Sequence, residues 1–201
     1  MRIVECEQQS PEWFAVKRGV PSASSFNEIV TSSGESSKQA LGYLYQLAAE
    51  RVSGIRETCF SSAAMDEGVR REEESRLVYA MRREVEVVQV GFCLDDFGRY
   101  GCSPDGLVGD DGLVELKNPS GKVAVEYLLA GKLPTAYIQQ VQGQIFVTGR
   151  EWCDFVSYYP GLPTLIVRVE RDEEFRRKLE QALVTFCDTL DAVCITIKKE
   201  A

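Results

Sequence analysis

Apolar residues recur every three or four positions along the C-terminal part of the chain: Phe175, Leu179, Leu183, Phe186, Leu190, Val193 and Ile197. That period predicts an amphipathic helix, and Asp172, Glu173 and Glu174 suit its first turn, where negative charge meets the helix dipole. The same period places Leu41, Leu44, Leu47 and Ala48 on one face of a helix over 37–52. Ser10 followed by Pro11 predicts a helix start, with the helix running to about Arg18. Ser22 to Ser25 open a second short helix, and Gly34 marks a loop. A long helix is expected over 61–82, and two more over 121–130 and 135–147. Between them the pattern changes. Val85, Val87, Val88 and Val90 predict a strand over 85–94, with 99–103 as its hairpin partner. Further strands are expected at 112–117, 151–158 and 164–170. The order is helices, a mixed sheet, helices, two strands and a closing helix, which predicts one α/β domain over 1–201. Within it we distinguish an N-terminal helical part (1–60), a core (61–170) and the closing helix (171–201).

Composition removes several kinds of chemistry. The chain has 201 residues and no histidine, so Ser-His-Asp and Cys-His catalysis are excluded and zinc hydrolysis is disfavoured. Its seven cysteines, at 6, 59, 93, 102, 153, 187 and 194, have no Cys-x-x-Cys spacing and read as reduced thiols. The first ten residues lack an apolar stretch of signal-peptide length, and no run has the length of a membrane span, so a cytoplasmic location is expected. A net charge of −8 predicts that any contact with nucleic acid is confined to one face or to the inside of an assembly.

The candidate chemistry lies between 103 and 119. Ser103-Pro104-Asp105-Gly106 is a turn sequence. Nine residues separate Asp105 from Glu115, which opens Glu115-Leu116-Lys117-Asn118-Pro119. On a strand, Val114 and Leu116 share one face, so Glu115 and Lys117 share the other. If the turn brings Asp105 beside that face, two hard carboxylates and an ammonium meet. Such carboxylates hold Mg²⁺ or Mn²⁺, and the lysine orients or deprotonates a water for phosphodiester hydrolysis. Three further groups attract notice. Glu72 could face inward as a third acid. Tyr137, Gln140 and Gln144 share one helix face. Lys17, Arg18, Ser22 and Ser24 cluster at a helix junction suited to an anion.

These pieces together resemble the phage lambda-type alkaline exonucleases, the YqaJ-like viral recombinase branch of the PD-(D/E)-x-K nucleases. The likeness runs through Trp13-x-x-x-Lys-Arg-Gly-Val-x-Ser-Ala-Ser, Gly68-x-x-x-Glu72, Cys102-Ser-Pro-Asp-Gly-Leu107, Glu115-Leu-Lys-Asn-Pro119 and Tyr137-x-x-Gln140-Val-Gln142. It implies a restriction-endonuclease-like α/β core with a central mixed β-sheet flanked by helices. It implies a Mg²⁺-dependent 5′→3′ exonuclease, with two ions per site, that resects linear duplex DNA to 3′ overhangs for recombination by strand annealing. A trimeric ring and a single-strand annealing partner belong to the same expectation. By position, Asp105, Glu115 and the Leu116 carbonyl would hold metal, and Glu72 would support a second ion. Lys117, assisted by Gln140, would activate water. Ser24, Ser103 and either Lys17 or Arg18 would bind the 5′-phosphate, and Met65 falls near a strand-separating wedge. The alternatives are an endonuclease, a Cas4-like enzyme, or an inactive scaffold that binds DNA ends.

Overall fold

The computed structural model describes residues 1–56 and 71–200. Its centre is a five-stranded mixed sheet. β2 (Val87–Val88), β5 (Gly106–Val108), β6 (Gly112–Lys117), β7 (Trp152–Ser157) and β8 (Leu165–Glu170) lie in that order. All neighbours are antiparallel except β6 and β7. A parallel pair needs a crossover, and α5 (Gly121–Ala130) with α6 (Ile138–Thr148) supplies it. A second, three-stranded sheet holds β1 (Arg2–Val4), β3 (Phe92–Leu94) and β4 (Gly101–Cys102), with β3 in the middle.

Both faces of the large sheet are covered, and the strand alternation sorts the residues between them. Leu113, Phe155 and Cys153 face the main core, which also contains Leu44 and Leu47 of α3 (Ala40–Ser53) and Val141 and Ile145 of α6. Leu179, Leu183 and Leu190 of α7 (Glu173–Glu200) close it. Val114, Leu116 and Val156 point the other way, against Tyr79 of α4 (Glu72–Arg83). Asp154 is on that second face and fully buried. It accepts two hydrogen bonds from the Arg168 guanidinium, both 2.9 Å, and one from the Tyr79 hydroxyl at 2.9 Å. Arg83 lies 3.4 Å away.

At the N-terminus, α1 (Pro11–Lys17) is capped by Ser10, whose hydroxyl accepts from the Trp13 N–H. Trp13 then packs with Phe92 and Leu94. A 3₁₀ turn (Ala23–Ser25) leads into α2 (Phe26–Ile29). Asp172 caps α7 by accepting from the N–H groups of Glu174 and Phe175.

Three sequence expectations change. The strand expected over 85–94 is two strands in two sheets. The chain changes sheet at Gly91, where an added Cβ would lie 2.4 Å from the Val4 carbonyl oxygen, so only glycine lets β1 approach this closely. Leu41 is 59% exposed and Tyr43 is buried in its stead, because Tyr43 stacks on Phe186 of α7, with ring centres 5.8 Å apart, beside the inward Leu44, Leu47 and Ala48. Ile197 is exposed on the end of α7. Of the helix expected over 61–82, the described part is α4; its start, and with it Met65, lies outside the described residues.

Candidate active site

The site forms where β5 ends. Pairing between β5 and β6 stops at Gly106 opposite Val114, so the next outward-facing peptide of β6, at Leu116, has no strand partner on that side. The Leu116 N–H donates instead to Asp105 Oδ2, at 2.6 Å. In an antiparallel ladder the N–H and C=O of one residue face the same neighbour. The Leu116 carbonyl therefore faces the same gap as Asp105. This is how the Pro-Asp-Gly turn brings Asp105 to the Glu-x-Lys strand.

Glu115 and Lys117 share the α6 face of β6, as alternation predicts. That face is not wet: Glu115 is 2% exposed. Its Oε1 accepts from Gln140 Nε2 at 2.6 Å and pairs with Lys117 Nζ at 2.5 Å. Its Oε2 accepts from Gln144 Nε2, also at 2.6 Å. Gln140 and Gln144 are one turn apart on α6, so both amides reach the same carboxylate. Lys117 Nζ also lies 5.1 Å from the centre of the Tyr137 ring, a cation–π distance.

Charge is unbalanced here. Burial and the nearby Glu115 carboxylate raise the Asp105 carboxyl well above its ordinary range, against the opposing effect of Lys117. Burial alone would lower Lys117, but Glu115 and Asp105 outweigh it and the net shift is upward. The site is thus rich in carboxylate oxygen and short of positive charge. That donor set fits a hard divalent cation, which takes oxygen ligands and keeps several waters. Among the described residues no group of three His, Cys, Asp or Glu side chains comes together, so the Leu116 carbonyl and water would have to complete the shell.

Glu72 opens α4 on the far side of Asp105. Its Oε1 is held by Arg76 at 2.6 Å, and Arg76 also donates to the Asp105 carbonyl at 3.3 Å. Arg76 was absent from the sequence expectation, although its spacing of four from Glu72 on a helix is a signal for such a pair.

The residues expected to bind an anion lie on the N-terminal side. Trp13 Nε1 donates to Ser103 Oγ at 2.8 Å, which ties α1 to the turn carrying Asp105. Lys17 Nζ lies 4.5 Å from the Trp13 ring centre. Burial and the charge of Arg56 lower the Lys17 ammonium to about 8. Ser22 bridges Gly101, so the 3₁₀ turn bearing Ser24 rests against β4, just before Ser103; Ser24 Oγ lies 3.1 Å from Ser22 Oγ. Arg18 is exposed and donates to the Gly54 carbonyl. Lys17 thus lies over Trp13, while Arg18 is engaged at Gly54. Gln144 and Trp13 also contribute to the site. The sequence placed Gln144 in a glutamine stripe able to hold the lysine or the attacking water, and Trp13 in the opening motif without a role of its own.

A five-stranded mixed sheet flanked by helices, with an aspartate at one strand end and Glu-x-Lys on the next, defines an enzyme of the PD-(D/E)-x-K nuclease class. Residues 12–151 match the YqaJ-like viral recombinase domain, and the chain belongs to that family. Its structure resembles that of the alkaline exonuclease LHK-Exo from Laribacter hongkongensis, with a TM-score of 0.87 and 34% identity over 95% of this chain and 97% of that one. The same enzyme in complex with dAMP matches with a TM-score of 0.86. A phage-related exonuclease from Haemophilus somnus 129PT shares the fold, with a TM-score of 0.66 and 13% identity over 90% of this chain and 96% of that one. No curated protein matches the sequence. No helix among the described residues is long and apolar enough to cross a membrane.

Proposed function

We propose that the protein is a Mg²⁺-dependent 5′→3′ exonuclease that resects one strand of linear duplex DNA and leaves a 3′ single strand for annealing. The observation that carries this reading is the hydrogen bond from Trp13 to Ser103. It ties Trp13, under Lys17, to Ser103, two residues before Asp105, which supports a reading in which one turn serves both the end phosphate and the bond to be cut. Mn²⁺ is an alternative ion by donor chemistry.

In this reading Asp105, Glu115 and the Leu116 carbonyl hold the ion, and Glu72 supports a second. A bound cation polarises the scissile phosphate and lowers the pKa of its water. Lys117 and Gln140 orient the attacking water. With Glu115 and Asp105 engaged by an ion, Lys117 would no longer be held charged by them. Its burial would then favour the neutral form, the form able to accept the proton of the water. Lys17, Ser24 and Ser103 hold the terminal 5′-phosphate. A trimeric ring around the DNA and a single-strand annealing partner complete the proposal. The location would be the cytoplasm of a bacterial host.

The test is incubation with Mg²⁺ of linear duplexes bearing 5′-phosphate or 5′-hydroxyl ends, beside a closed circle. Release of nucleotides from linear DNA alone, faster with 5′-phosphate, is the expected result. Attack on the circle would replace this reading with an endonuclease, and no cleavage at all with an end-binding scaffold. Lys117→Ala should lower turnover about 10²–10⁴-fold, the usual loss on removing a proton-transfer group.

A further inference from the structure

Glu115 is held differently at its two oxygens. Oε1 faces the mouth of the site, and both its partners, Lys117 and Gln140, are only partly buried. Oε2 faces inward and is held by Gln144, which is 1% exposed. Gln144 itself has little freedom. Its carbonyl side accepts weakly from the Cys153 thiol at 4.0 Å. Its neighbour Gly143 packs so close to Phe26 that an added Cβ would lie 2.5 Å from that ring. α6 is therefore packed closely against α2 at this point. Lys117 and Gln140 are partly open to solvent, whereas Gln144 is enclosed.

From this asymmetry we infer that Gln144 is a positioning residue that makes Glu115 a one-oxygen metal donor, and so biases the site toward a small octahedral cation and against Ca²⁺. The inference rests on the metal-nuclease reading above. Its physical basis is coordination size. Mg²⁺ demands near-octahedral geometry at about 2.0–2.1 Å, whereas Ca²⁺ takes about 6–8 oxygens and readily accepts a carboxylate through both. A glutamate whose second oxygen is occupied by a buried amide N–H suits the first ion and denies the second one ligand. Such outer partners typically change metal affinity about 10–100-fold.

The test is calorimetric titration of the metal-stripped protein with MgCl₂ and with CaCl₂, for the wild type and for Gln144→Met, which keeps length and volume but removes the donor. The variant should shift the Mg²⁺-to-Ca²⁺ affinity ratio about tenfold toward Ca²⁺. A ratio that stays constant, whether or not both affinities fall, would make Gln144 merely structural and overturn the inference. If the wild type takes up neither ion, the metal-nuclease reading itself fails. Difference infrared spectra of the wild type answer the same question without the variant, should it not fold. Only monodentate carboxylate bands are expected with either ion, and bidentate bands with Ca²⁺ would contradict the inference.

Discussion

Replacing Asp105 with asparagine should stabilise the metal-free protein while abolishing its activity. Asparagine has nearly the same shape and keeps an oxygen for the Leu116 N–H, now 2.6 Å from Asp105 Oδ2. A hydrogen bond to a charged acceptor contributes about 1.5–3 kcal/mol and a neutral one about 0.5–1.5, so this change costs about 1 kcal/mol. Against it stands the charge itself. Asp105 is half-buried, and the Glu115 carboxylate lies beside it while Lys117 is already paired with Glu115. An incompletely partnered buried polar group costs about 1–3 kcal/mol, and a charged one more. The balance favours the variant by about 1–2 kcal/mol, which for a chain of this size raises Tm by about 2–8 °C.

The pH dependence has a definite sign. The folded-state pKa of Asp105 is raised. Its ionisation therefore destabilises the fold once pH passes above the unfolded value, and increasingly so up to the folded value. The advantage of Asp105→Asn should be absent in acid and grow toward neutral pH. The assay is thermal unfolding in EDTA from pH 4 to 8, repeated with excess Mg²⁺. Wild type should gain stability from the ion by mass action, and Asp105→Asn should gain little, so the order of the two proteins narrows or reverses. If Asp105→Asn is less stable than wild type in EDTA at neutral pH, the reasoning about unbalanced charge is wrong.

Three further expectations concern the surroundings of the site. Asp154→Ala leaves the buried Tyr79 hydroxyl without its partner, while the released Arg168 and Arg83 reach solvent; an unsatisfied buried group costs about 1–3 kcal/mol, and calorimetry should show Tm falling by about 2–12 °C, with activity per folded molecule unchanged. Lys17 loses its charge as pH rises through about 8, so the kcat/KM preference for 5′-phosphate over 5′-hydroxyl ends should fall above that pH; Lys17→Arg should keep the preference up to pH 10, and a flat wild-type profile would remove Lys17 from the phosphate pocket. Gly143→Ala drives a Cβ toward Phe26; overpacking of this kind costs about 1–3 kcal/mol, and the displaced 3₁₀ turn should raise KM for 5′-phosphate ends more than it lowers kcat.

Much of this protein is local and therefore legible in its residue order. The period of α7, the Ser10 cap, the Pro-Asp-Gly turn and the alternation that puts Glu115 and Lys117 together all follow from helix and strand geometry over a few residues. The absence of histidine narrowed the chemistry before any fold was known. The remaining features depend on contacts between distant segments. Whether 85–94 made one strand or two was decided by Gly91 meeting Val4, and Tyr43 rather than Leu41 was buried by stacking on Phe186 of α7. That Trp13 reaches Ser103 depends on packing across 90 residues. The role of Gln144 required α6 to be pinned over β6, because a glutamine in a stripe carries no sign of which carboxylate it will meet. Sequence spacing sets which side chains share a face of one element; only the packing of that element against another decides what the face touches.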